Sequence, residues 1–229
     1  MRHIFSFLLI ALIKLLASLF YRFKVNWIGG NQLSRWREVR IIVFLNHTSL
    51  FEPLFLKLAP YGFIWKLSRT LVVPGADITL QRPILGKFIK LLIPGCLPIT
   101  RKNDETWAGF LKQMKADSVV AILPEGRMKR KNGLDKSGKP MSVRGGTSDI
   151  LQFINDGKIL FVYSGGLHHI QSPGDKLPRL FKTIKVTMEM LDVTDYKKHI
   201  IAKNHHSFKR AVMEDLNYRL QHCVPKDDE

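Results

Sequence analysis

A chain of 229 residues, 45% of them hydrophobic, suits one domain of ordinary size with enough apolar side chain to bury a core. Lysine and arginine outnumber aspartate and glutamate by 36 to 19, so the formal charge of +17 draws polyanions: anionic lipid headgroups, nucleic acid or acidic carrier proteins. Two cysteines, Cys96 and Cys223, exclude a disulfide framework and lack metal-ligand spacing, which suits a reducing compartment.

The chain opens on an apolar run over residues 4–23, IFSFLLIALIKLLASLFYRF, which has about the length needed to cross a hydrocarbon core. Lys14 stands at its middle, where a charge is expensive, and Arg2, His3, Arg22 and Lys24 flank it. A single span and a helix lying in the interface with its lysine snorkelling are both open, and membrane association is the expectation either way. A cleaved signal peptide fits less well, because Lys14 interrupts the apolar region and no A-x-A site follows. The expected organisation is a membrane-associating segment over 1–28 and a catalytic domain over 29–229.

After Gly29-Gly30 the β-branched run VRIIVFL predicts a buried strand over 39–45, followed by a short helix over 53–58. A helix over 106–114 precedes a second strand over 118–123. The segment 127–146, RMKRKNGLDKSGKPMSVRGG, has little apolar periodicity and reads as a mobile basic loop. A helix over 148–155 and a third strand over 158–164 follow. Phe208, Val212, Leu216 and Leu220 then recur at four-residue spacing, as in an amphipathic helix packed on the core. Strands alternating with helices predict a single α/β domain with a mostly parallel central sheet flanked by helices, plus the N-terminal apolar helix. No internal repeat or long linker supports a second domain.

Two motifs begin where predicted strands stop, the place where parallel sheets bind ligands. Asn46-His47-Thr48-Ser49-Leu50-Phe51-Glu52-Pro53 puts an imidazole and a carboxylate five residues apart across a strand-to-helix turn. Such a pair forms a base and its orienter, and needs no serine or cysteine if the substrate's own hydroxyl is deprotonated. Leu123-Pro124-Glu125-Gly126-Arg127 follows the second strand, and between the two motifs Gly95 and Arg101 stand six apart.

In order and spacing these blocks resemble the glycerolipid acyltransferase family, which acylates glycerol phosphate and lysophosphatidate. Asn46-His47 with Glu52 matches its first motif, Asn-His-x4-Asp, with glutamate in place of aspartate. Gly95 and Arg101 match its second, with Pro83 and Gly86 upstream in pattern; Pro124-Glu125-Gly126 matches its third; Arg144-Gly145-Gly146 resembles the step before the next helix. The resemblance covers residues 39–166. It implies that His47 activates an acceptor hydroxyl for attack on an acyl thioester of coenzyme A or acyl carrier protein, a co-substrate rather than a resident cofactor. It implies further that Arg101 pairs with an acceptor anion, that Glu125 binds acceptor hydroxyls or holds its loop, and that Gly126 lets backbone approach the substrate. Expected partners are membrane lipids and an acyl carrier protein, at the cytoplasmic face of a membrane.

Three departures qualify the match. Glu52 adds a methylene, about 1 Å of reach, so its turn or rotamer must differ from an aspartate's. Met128 occupies the place of a family arginine, with Arg127 one position early, and the proline of the fourth motif has no counterpart in residues 160–166. The altered dyad keeps open a non-catalytic lipid-binding protein on the same scaffold. Other signals carry less. Gly133-x4-Gly138-Lys139 lacks the closing serine or threonine of a phosphate loop, His168-His169 and His205-His206 lack partners at metal-ligand spacing, and no motif supports nucleic-acid binding.

Overall fold

The first helix, α1 (Arg2–Phe20), contains neither glycine nor proline and is long and apolar enough, by length and composition, to cross a membrane. The structure, a computed structural model, describes residues 2–30, 32–100, 104–172, 175, 177–203 and 207–225. A single residue, Tyr21, joins α1 to β1 (Arg22–Ile28), so residues 22–28, grouped above with the membrane-associating segment, form a strand of the domain's sheet. A 3-10 turn over Leu33–Glu38 leads to β2 (Val39–Leu45), and a second over Glu52–Leu58, with Pro53 in its first turn, takes the place of the expected short helix. Next come α2 (Tyr61–Thr70), β3 (Leu71–Ala76), α3 (Asp77–Leu80), α4 (Leu85–Leu92) and β4 (Gly95–Ile99). The chain continues through α5 (Glu105–Lys112), β5 (Val119–Ile122), α6 (Gly146–Phe153), β6 (Lys158–Ser164), β7 (Thr183–Asp192), α7 (Val193–Lys203) and α8 (Phe208–His222).

Among the described residues these strands form one seven-stranded sheet in the order β1-β7-β6-β2-β5-β3-β4. Every neighbouring pair is parallel except β6 with β7. A parallel sheet needs both faces covered, and alternate residues of one strand serve opposite faces. In β2, Ile42 packs with α1 and α2, while Ile41, Val43 and Leu45 pack with α6, α7 and α8. In β6, Leu160 and Val162 face the first layer and Ile159, Phe161 and Tyr163 the second.

Within the first layer, α1 is docked along its length. His3 Nδ1 donates to Ser68 C=O at 2.9 Å, Ser6 Oγ to Leu92 C=O at 2.6 Å, and Lys14 Nζ to the carbonyls of Lys57 and Ala59. Lys14 therefore turns inward to satisfy two carbonyls rather than outward to water. Ile10 and Ala17 are buried on the same side, while Ile4, Phe5, Leu8, Leu12, Leu15 and Leu19 form an exposed stripe on the other. The spacing of both sets is that of helix faces.

The basic segment 127–142 is not an unstructured loop. Asp135, 6% exposed, accepts from the N–H groups of Ser137 (2.7 Å) and Lys139 (2.9 Å) and from Arg127, and Leu134 pairs with Pro140. The Lys139 N–H, with the other donors, holds this carboxyl below the usual range. One internal acceptor thus organises a segment whose composition suggested mobility.

Candidate active site

Where β2 stops, Asn46 adopts a left-handed conformation (φ 67°), uncommon outside glycine but tolerated by asparagine. Its Nδ2 donates to Ser164 C=O at 2.8 Å, tying the turn to the end of β6. The turn brings His47 back over Glu52: Nδ1 and Oε1 lie 2.7 Å apart, both side chains mostly buried. Oε1 also accepts from Ser49 N–H at 3.3 Å. The longer glutamate thus reaches the imidazole from the first position of the 3-10 turn.

Glu125, after β5, is 1% exposed and clamps that same turn. Its two oxygens accept from the N–H groups of Asn46 (2.7 Å) and His47 (2.8 Å). Burial raises its pKa, opposed by these hydrogen bonds. Of the two roles implied for Glu125, its geometry is that of holding the loop; it does not line the cavity into which His47 opens. Lys129 N–H donates to His47 C=O at 2.8 Å, and His168 Nε2 donates to Lys129 C=O at 2.8 Å. Thr48 Oγ1 accepts from Leu167 N–H at 2.8 Å. The dyad is therefore held from three strand ends, those of β2, β5 and β6. None of these cross-links was legible in the sequence, because their partners are backbone groups distant in the chain.

His47 and Glu52 stand on a cavity of about 520 Å³. Its lining is mainly apolar, including Ile10 of α1, Val73 of β3 and Phe88 and Leu92 of α4, and also takes in Gly126, Arg127, Arg144, Asp149 and Lys209. Gly126 has φ 61°, a left-handed conformation that favours glycine. Arg127 reaches the cavity, but its Nη1 is 2.5 Å from Asp135 Oδ2, so its guanidinium also braces the loop. Arg101, expected at an acceptor anion, lies outside the described residues, as do His205 and His206. Among the described residues no group of three or more His, Cys, Asp or Glu is placed to hold a metal ion.

An α/β sheet carrying a histidine–carboxylate pair at a strand end, opening on a mainly apolar cavity with a few charged side chains in its lining, defines an enzyme-like site. Residues 25–168, more than half of the chain, match the family model described as Acyltransferase, and the chain belongs to that family. No curated protein sequence matches it. Six chains of solved structure are similar to it, among them the crystal structure of the 1-acyl-sn-glycerophosphate (LPA) acyltransferase, PlsC, from Thermotoga maritima. That match has a TM-score of 0.58 at 15% identity and covers 96% of this chain and 81% of the other. At this identity the likeness is one of fold.

Proposed function

We propose that the protein transfers a fatty acyl group from an acyl thioester, of coenzyme A or acyl carrier protein, to a hydroxyl of a glycerophosphate or lysophospholipid-like acceptor. The observation that carries this reading is the hydrogen-bonded His47–Glu52 pair lining a mainly apolar cavity that also takes in Arg127, Arg144 and Lys209. His47 Nε2 takes the acceptor's hydroxyl proton while the acceptor oxygen attacks the thioester carbonyl. Glu52 orients the ring and stabilises the imidazolium. The tetrahedral oxyanion collapses, the carbon–sulfur bond breaks, and the imidazolium returns its proton to the leaving thiolate. Arg101 and Arg127 are assigned to anionic substrate groups, Gly126 to close backbone approach, and the apolar lining of the cavity to the acyl chain. The thioester is a co-substrate, and no other cofactor enters these steps.

The same reading places α1 flat in the cytoplasmic-face interface of a membrane. A helix bonded to Ser68, Leu92, Lys57 and Ala59 cannot cross a bilayer without drawing the polar backbone of the domain into hydrocarbon. Lying flat, it sinks its outer leucines and leaves Arg22, Lys24 and the exposed Lys87 and Lys90 of α4 for anionic headgroups.

The test supplies purified full-length protein with acyl thioesters and lysolipid acceptors and follows products by mass spectrometry. His47→Ala is expected to lower turnover by roughly 10²- to 10⁴-fold with folding unchanged. Retained turnover would overturn the general-base assignment. Lipid binding with no acylated product from any pair would instead make the chain a non-catalytic lipid binder.

A further inference from the structure

The family model ends at residue 168, yet α8, forty residues further on, contributes a charged side chain to the lining of the cavity. Lys209, in the first turn of α8, lines the cavity with Arg127, Arg144 and Asp149. Its Nζ lies 3.2 and 3.4 Å from the two carboxylate oxygens of Asp149, whose Oδ2 also accepts from Trp107 Nε1 at 2.9 Å. The indole thus fixes the carboxylate, and the carboxylate aims the lysine.

Gly145 shows how closely the lysine is seated. A Cβ there would stand 2.1 Å from Lys209 Cε. Its φ of −73° and ψ of 0° are open to any L residue, so backbone conformation does not call for glycine. A Cβ there would instead push the end of the lysine side chain out of its present place. An ion pair whose lysine is 45% exposed contributes little to stability, so stability gives this pair little motive for standing on the cavity. In the same lining Met128 is uncharged and the guanidinium of Arg127 is shared with Asp135. An ammonium has three donors, and an exposed pair re-forms readily around an incoming anion.

We propose that Lys209 is a specificity-determining residue that binds a phosphate group of one of the two substrates, with Gly145 and Asp149 as its seat. This rests on the acyl-transfer reading above. The shared chemistry is a phosphate ester, carried either by the acceptor or by coenzyme A.

The experiment measures kcat and KM for the full-length protein in mixed micelles, pairing each phosphate-bearing substrate with a phosphate-free counterpart: lysophosphatidate with monoacylglycerol, acyl-coenzyme A with an acyl-N-acetylcysteamine thioester. Lys209→Met is expected to raise KM for one phosphate-bearing substrate by roughly ten- to hundredfold with little change in kcat. Lys209→Arg should restore most of it. The rise should vanish with that substrate's phosphate-free counterpart, which identifies the source. Gly145→Ala should reproduce the rise by displacing the lysine, and the double variant should lose no more than either single one. Unchanged KM for both phosphate-bearing substrates, or an equal rise with the phosphate-free ones, would overturn the proposal. Equilibrium binding of lysophosphatidate and of coenzyme A to the His47→Ala protein, with and without Lys209→Met, reads the contact without turnover. If turnover is absent altogether, a weaker Kd in that pair still supports the Lys209 site while the acyl-transfer reading fails; equal Kd values overturn the site.

Discussion

Glu125 carries a conflict that decides how the dyad responds to acid. Burial favours its neutral form, while the backbone donors of Asn46 and His47 require its charge. Because the folded-state pKa is raised, the folded protein takes up this proton more readily than the unfolded chain does. Acidification towards the ordinary value of 4.5 therefore favours the fold at this residue while weakening the clamp. The expected outcome is activity falling in acid before the fold does, checked by following kcat/KM and Tm in parallel from neutral pH downwards. Simultaneous loss of both would assign the acid limb to unfolding. At this scale the sequence yielded His47 and Glu52 as a pair, because they are near neighbours whose chemistry is local. It did not yield the clamp, since spacing says nothing of a carboxylate whose partners are backbone N–H groups on another strand. Asn46 was visible only as a motif residue; its left-handed backbone, which swings the histidine over Glu52, is a property of the turn.

Among the elements, β2 and β6 stand at their expected limits because long β-branched and aromatic runs have one plausible reading. β3 and β4 were missed because Pro74, Gly75, Gly95 and Pro98 read as turn residues. Pro98 is tolerated because β4 is the edge strand, and Pro74 because the pairing of β3 with β5 covers only Leu71 and Val72. β1 was hidden by its continuity with the apolar helix. Lys14 illustrates the same limit on α1: composition reads it as a snorkelling charge, whereas the fold spends it on two carbonyls. Lys14→Met makes α1 more apolar but strands those carbonyls of Lys57 and Ala59. It is expected to lower stability by about 1–3 kcal/mol, measurable by denaturant unfolding in detergent. A stabilised variant would show that hydrophobicity, not the inward bonds, seats the helix.

For the molecule as a whole, the expected α/β class and the mostly parallel sheet hold, with β7 running against β6. What composition did not convey is that α1 has two apolar faces with different partners, one for the domain and one exposed. A charge of +17 adds a long-range attraction to anionic surfaces that salt weakens. Leu8→Glu with Leu15→Glu should abolish binding to anionic vesicles and leave Tm nearly unchanged, since both leucines are exposed. Vesicle flotation checks this, and binding that survives both substitutions would move the lipid contact elsewhere on the surface.

Ile10 lines the cavity at the His47–Glu52 pair, while Leu8 and Leu12, two residues to either side, point away from the domain. A single helix thickness, about 10 Å, therefore divides the reacting space from whatever lies beyond α1. With lipid beyond it, substrate is gathered from a plane rather than from a volume. The rate should then follow the mole fraction of acceptor among the surrounding lipids, falling on dilution with inert lipid even when the bulk concentration is held constant.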